Sequence, residues 1–415
     1  MKKKGILIVS VWMLMICGSN KVYSQSQGGV LGQEQKRNVI TTAVPSMLIG
    51  PDSRIGAMGE TGVAVGEDIN AQHWNPSKYV FSENTFGLGF SFSPWLANLG
   101  VNDIYLAYLA GYVKIGKMDA VSFSLRYFSM GEMELTDITG AVIAKASPHE
   151  FAIDAAYSRK LIENLSMAIT GRFVYSHLSN YTNSGSQDNI KPGIAGAADV
   201  SLFYTKDLRA KNVESSKISW GLNISNIGNK ISYSSSLYRS FLPANFRTGI
   251  AYTLGLDRYN KLTFAFDLNK LLVTTPPLFK KDSSGFVERD DVTFDPIIAK
   301  GRNPQTTTAA EAVFTSWFDA PGGFGEEMRE FVQNFGVEYG YNDLFFIRTG
   351  FFNEAKTKGN RKYMTFGVGV KYSIFSIDAC YILPVSARNH PLENTLRFSL
   401  TLDFGTAAKN KSGKR

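Results

Sequence analysis

The sequence predicts an all-β chain: a fourteen-stranded antiparallel transmembrane β-barrel closed around an N-terminal segment. Three observations carry this reading. Segments of alternating apolar and polar residues recur along most of the 415 residues. The connections between them alternate short and long. The charges inside the segments stand on the face opposite the apolar one.

The chain opens with Lys2, Lys3 and Lys4, then the apolar stretch GILIVSVWMLMICG and a polar segment ending KVYS. That is the layout of a secretory signal over residues 1–24, cleaved after Ser24. Cys17 follows Ile16, where lipoprotein processing wants a small residue. Removal of the signal takes Lys2, Lys3, Lys4 and Lys21 and no acid, so a net charge of +8 becomes +4. The basic balance is partly a targeting feature, and partly the polar tail 405–415 that ends KNKSGKR; neither points to nucleic acid. Cys380 is then the one remaining cysteine, so no intrachain disulfide is expected. No later apolar run reaches about 18 residues, so any membrane crossing must be made by strands.

Fourteen segments alternate, at 86–92, 105–114, 121–128, 150–158, 165–177, 194–204, 218–225, 246–254, 262–270, 335–341, 345–351, 364–372, 375–382 and 396–404. The last, LRFSLTLDF, sets Leu396, Phe398, Leu400, Leu402 and Phe404 against Arg397, Ser399, Thr401 and Asp403. Such strict alternation marks a strand whose faces meet different surroundings. Every odd-numbered connection is longer than both its neighbours. Membrane barrels sort their loops this way, with short periplasmic turns, long extracellular loops and an even strand count. The barrel is expected over 85–404, with its long extracellular loop at 271–334.

The charges agree. Arg126, Asp154, Arg172, Asp199, Arg247, Asp267, Glu338, Arg348, Lys371, Asp378, Arg397 and Asp403 all oppose the apolar face. A midplane Arg or Lys facing lipid would cost about 2–4 kcal/mol, so lipid covers the apolar face and the charges line the lumen. They are balanced in sign, whereas a selective pore carries a ring of one sign. Arg126, Asp154, Arg172, Asp199, Arg247 and Asp267 are therefore expected to form a lumen network, the first four paired across neighbouring strands. A small water-filled channel with scattered charges is the blander reading.

Residues 25–84 precede the first strand and do not alternate. Gly56, Gly59, Gly62 and Gly66 supply small-surfaced backbone, and Asn75-Pro76 marks a turn. No lysine with Ser or Thr follows the glycines, so this is no nucleotide loop; in GYVKIGKM, Met118 replaces the hydroxyl such a loop needs. A stretch of the type GAMGETGVAVGED followed by WNPS, directly before such a barrel, resembles the N-terminal hatch of FadL-family outer-membrane proteins. AVPSMLIGPDSRIGAMGETGVAV, HWNPSKY and FTSWFDAPGGFGEEMREF resemble more closely one branch of that family, PorV of the type IX secretion system.

The resemblance implies a hatch in the lumen carrying Gly56, Gly59, Gly62, Asp68, Asn75 and Pro76. It also implies a non-catalytic outer-membrane shuttle, surrounded by outer-membrane lipid, that binds the C-terminal signal domain of secreted cargo. The cargo would be taken at a translocon barrel (Sov/SprA-like) and delivered to a surface attachment complex with a PorU-like sortase. The alternative is a FadL-like transporter that admits hydrophobic small molecules by a lateral route.

In the long loop, Pro321-Gly322-Gly323 makes a turn. EEMREFVQNF, Glu326 to Phe335, then reads as an amphipathic helix with Met328, Phe331 and Val332 on one face. Trp317, Phe318 and Phe324, with Trp95 in the first long connection, are the candidate partner-binding anchors, since exposed aromatics serve protein-binding surfaces. They could equally pack the loop over the barrel mouth. No catalytic constellation is legible. His73, His149, His177 and His390 lack metal-ligand spacing, Cys380 faces the lumen without a partner, and no cofactor motif occurs.

Overall fold

The computed structural model describes residues 38–95, 103–136, 139–178, 191–209, 213–233, 238–385 and 395–406. The expected signal, residues 25–37, most of SPWLANLG, His390 and most of the polar tail lie outside the described residues. The strands in chain order are β1 (Asn84–Pro94), β2 (Ile104–Lys114), β3 (Asp119–Met130), β4 (Met133–Thr136), β5 (Val142–Ala146), β6 (His149–Ile162), β7 (Leu165–His177), β8 (Gly193–Leu208) and β9 (Ser215–Gly228). They continue as β10 (Asn245–Gly255), β11 (Asn260–Leu271), β12 (Leu278–Phe279), β13 (Ile298–Lys300), β14 (Val332–Tyr341), β15 (Phe345–Asn353), β16 (Lys362–Tyr372), β17 (Phe375–Pro384) and β18 (Thr395–Thr406).

Fourteen of these close one antiparallel barrel in the order β1-β18-β17-β16-β15-β14-β11-β10-β9-β8-β7-β6-β3-β2. β1 pairs with both β18 and β2, so the barrel has no free edge. Each alternating segment read from the sequence falls on one of the fourteen. The hairpins β4–β5 and β12–β13 stand apart on two of the long connections.

Side chains sort as the alternation requires. On β18, Leu396, Phe398 and Leu400 are more than 40% exposed, whereas Arg397 and Ser399 are at most 3% exposed. Aromatic rings mark the long-loop end of the apolar band: Phe92, Tyr105, Tyr127, His149 and Tyr175 follow one another across β1, β2, β3, β6 and β7 at centroid spacings of 5.5, 6.1, 5.9 and 6.2 Å. Phe86–Phe404 and Tyr259–Tyr341 do the same at the short-turn end. Paired aromatic girdles mark the two membrane interfaces of such barrels. The turn after β14 uses Asn342 and Asp343 at φ 56° and 52°, a conformation their short polar side chains tolerate.

Residues 38–83 lie inside the barrel, bonded to inward-facing groups around the wall. Ser53 N–H donates to Ser399 Oγ at 2.8 Å, Gly59 N–H to Thr365 Oγ1 at 2.9 Å, and Val63 N–H to Asp267 Oδ2 at 3.0 Å. Ser158 and Ser166 hydroxyls donate to the carbonyls of Pro76 and Ser77. The segment has little regular structure, so its buried polar backbone needs these partners. The fit is close. Gly59 has φ +67°, and a Cβ there would meet Phe351 N at 2.6 Å and Phe335 O at 2.7 Å. Only glycine combines that backbone with that approach.

The WNPSK stretch holds the segment together. Buried Trp74 donates Nε1–H to Asp52 Oδ1 at 2.6 Å, and Asp52 Oδ2 caps the short helix Ser53–Gly56 by accepting Ile55 N–H at 2.9 Å. Asn75 donates Nδ2–H both to Val63 O within the segment (3.0 Å) and to Leu202 O in the wall (2.9 Å). Pro76 opens the 3-10 turn Pro76–Phe81, where its missing N–H costs nothing. Lys78, fully buried, donates to the carbonyls of Gly62 and Val65 and lies 3.9 Å from Asp68.

This packing corrects the expected charge network. Arg172 does bridge neighbouring strands, to Asp154 at 2.6 Å and Asp199 at 3.0 Å. A bulge between β8 and β9 turns Asn226 N–H onto Asp199 Oδ1 as well. Arg126 pairs with neither acid: it donates to the carbonyls of Ser46 and Ile49 (2.8 and 2.9 Å) and to His73 Nδ1 (2.9 Å). Asp267 serves Val63, and Arg247 donates to Asn269 rather than to Asp267. The interior segment competes for the wall charges because its bent backbone exposes unpaired amides and carbonyls to them.

Candidate functional site

The long connection spans residues 272–331. Buried ion pairs pin its C-terminal end. Lys270, at the end of β11, donates to Glu327 at 3.0 Å and also to Glu330. Lys358, between β15 and β16, donates to Glu326 at 2.6 Å and Glu330 at 2.9 Å. Glu327 also accepts Ala320 N–H, and Glu326 accepts Gly322 N–H. Three carboxylates thus take two ammonium groups and two backbone amides, which makes their burial tolerable.

The expected amphipathic helix over Glu326–Phe335 is not present. A single turn, Phe324–Glu327, passes into a 3-10 turn, Met328–Glu330, and β14 begins at Val332. The buried face is the acidic one, and Met328 is exposed. Lysines distant in sequence claim the glutamates, so the chain turns them inward.

Trp317 is half-buried. Its ring meets Phe246 edge-on at 5.2 Å and Phe331 at 6.2 Å, and its Nε1–H donates to Val313 O. It therefore anchors the loop to the wall. Phe318 and Phe324 point outward, 89% and 77% exposed. Phe314, also 77% exposed, joins them from a helix, Ala309–Thr315, that the sequence reading missed. Its signal was readable: Thr308 caps Glu311 N–H at 3.2 Å, in the spacing of a capping box. Trp95 sits half-buried beyond the end of β1, its N–H on Ile104 O, and belongs to a different connection.

Asp319 is a buried residue of this same loop. Its Oδ2 accepts Thr275 N–H at 3.2 Å, while its Oδ1 is buried without a partner. Burial pushes its carboxyl up to about 6, and the charges of Glu327 and Glu330 act in the same direction. Beneath the loop, at the same end of the barrel, is a cavity of about 340 Å³ between the interior segment and strands β10, β11, β14 and β15.

No group of three or more potential metal ligands occurs among the described residues. Cys380 is buried beneath the interior segment, in a cluster with Ala57, Phe352, Tyr363 and Ile382.

Fold and surface together define a class: an outer-membrane β-barrel of FadL-like architecture. It is similar to a solved mutant of the TodX monoaromatic hydrocarbon channel, with TM-score 0.50 and 12% identity over 86% of this chain and 99% of that one. The toluene transporter TbuX of Ralstonia pickettii (TM-score 0.45, 13% identity, 86% and 98% covered) and a FadL homologue of Pseudomonas aeruginosa (0.42, 11%, 89% and 100%) are also similar. No curated protein matches the sequence. The model of the type IX secretion system protein PorV matches residues 32–278. The chain belongs to the PorV family and is a type IX secretion component of the outer membrane. The match takes in the whole GAMGETGVAV–WNPSKY region and ends before SWFDAPGGF, so the loop motif stands outside it.

Proposed function

We propose that this protein captures the C-terminal signal domain of secreted cargo on the cell exterior and passes it to the surface attachment complex, without catalysing a reaction itself. The cargo would come from a Sov/SprA-like translocon barrel, and a PorU-like sortase would act after delivery. The observation that carries the reading is the triplet Phe314, Phe318 and Phe324. These rings are exposed on a loop that is otherwise locked by buried ion pairs and by Trp317. A mobile loop would lose entropy on binding; a pinned one presents its anchors ready-made. Residues 38–83 serve in this reading as a fixed hatch. The interstrand ladder is paired all round the barrel, which favours a closed wall over lateral entry of a small apolar molecule.

The test is replacement of Phe314, Phe318 and Phe324 together by Ala. Buried aromatic anchors cost about 2 kcal/mol or more each when truncated, roughly thirtyfold in affinity at 1.4 kcal/mol per decade. Membrane level and heat-shifted gel migration should stay at the wild-type value while cargo capture and surface attachment fail. Normal cargo maturation in the triple variant would reduce the loop to a lid and move the search to Trp95.

A further inference from the structure

The cavity beneath the loop is lined by one cation, Arg247, that makes no ion pair among the described residues. Four cations line it, Arg247, Lys270, Lys358 and Arg361, with three carboxylates, Glu60, Glu330 and Glu354. Glu354 takes Arg361 through two bonds of 2.8 and 2.9 Å, Glu330 takes Lys270 and Lys358, and Glu60 is held by Arg397 at 3.1 Å. Arg247 is the odd one. It is 7% exposed, its Nε–H donates to Asn269 Oδ1 at 2.7 Å, and its guanidinium lies 4.6 Å from the Trp74 ring. Its two terminal nitrogens have no hydrogen-bond partner among the described residues. Asn269 and Trp74 fix the plane of the fork, and Arg247 lines the cavity with its other edge free of protein partners among the described residues. A carboxylate is the planar anion that such an edge binds bidentately.

A second observation narrows the ligand. One wall of the cavity is the stretch Val39–Thr42, and its main-chain groups make no hydrogen bond among the described residues. Asn38 and Ala43, on either side, are bonded to Thr357 O and Phe241 O. Unpaired backbone donors and acceptors beside an anion site suit an extended peptide. An alkyl chain would leave them unsatisfied. The small apolar surfaces of Leu48, Leu271, Val332 and Phe352 complete the wall.

We propose that this cavity receives the C-terminal residues of a polypeptide, with the chain's terminal carboxylate on Arg247. The proposal rests on the shuttle reading for the identity of that polypeptide, the cargo signal domain, but the cavity can be tested without cargo. The full chain in lipid nanodiscs is titrated with acetyl-Ala-Val-Val as the free acid, with the same tripeptide as its C-terminal amide, and with decanoate. The free acid should bind at least tenfold more tightly than the amide. Arg247→Gln should erase that preference, and Arg247→Lys should keep part of it. Heat-shifted gel migration of both variants shows that the barrel is intact. Equal binding of acid and amide, an unaffected Arg247→Gln variant, or no binding of the tripeptide overturns the proposal; decanoate binding in place of the tripeptide overturns it in favour of a lipid carboxylate. Failure of cargo capture in the wild type would instead strike at the shuttle reading and leave the titration standing.

Discussion

Asp319 shows how a single side chain ties the loop to pH. Its carboxyl is buried beside Glu327 and Glu330 and titrates at about 6, against about 3.9 for an unperturbed Asp. The docked loop therefore holds the proton more tightly than the released one. Its extra stability is fully present below about pH 4 and is lost as pH rises through 6. Limited proteolysis within residues 272–331 should accordingly run faster at pH 7.5 than at pH 5 in membrane-embedded protein. Asp319→Asn, which is neutral at both values, should flatten that difference and slow cleavage at pH 7.5. A wild-type loop cut equally at both pH values would show that Asp319 does not govern its docking.

The elements differ in how far the sequence reveals them. Strands were legible because each separates lipid from an interior, and two surroundings impose a period of two. LRFSLTLDF needs no partner to be read. The loop end was not legible in that way. Glu326, Glu327 and Glu330 look like the solvated face of a helix until Lys270 and Lys358 are brought beside them by the barrel. The interior segment lies between these cases. Its glycines announce close approach, but not to what. In the structure, a glycine of the interior segment meets a glycine of the wall: a Cβ on Gly350 of β15 would run into the backbone of Met58 and Gly59. Gly350→Ala should therefore push the segment off the wall, at a cost of about 1–3 kcal/mol, as for other overpacked cores. Hydrogen exchange should rise across residues 53–65 while the strands stay protected. Unchanged exchange there would mean that the segment is looser than its contacts imply.

On the scale of the whole molecule, the interior is divided into two vestibules. The cavity of about 340 Å³ opens beneath the long loop, and another of about 440 Å³ lies among Glu67, Lys261, Asp343 and Lys371 at the short-turn end. Between them stands the layer of Ile55, Met58, Val63 and Trp74, all fully buried. Wall charges secure this layer from several sides: Glu338 takes Arg54 at 3.1 Å, Asp267 takes Val63 N–H, and Arg397 takes Glu60. An ion crossing the barrel would have to strip that layer from partners in a poorly solvated interior, and such groups are costly to leave unpaired. Planar-bilayer recordings on the full-length protein should therefore show little steady current at either polarity. A variant lacking residues 38–83 should conduct, because the fourteen-stranded wall closes through β1 and β18 without needing the segment as a strand. That variant should still migrate faster on gels when unheated, since a closed barrel leaves no edge from which to unravel. Large ohmic conductance from the intact chain would mean that the segment leaves the lumen readily, and residues 38–83 would then be a gate rather than a fixed plug.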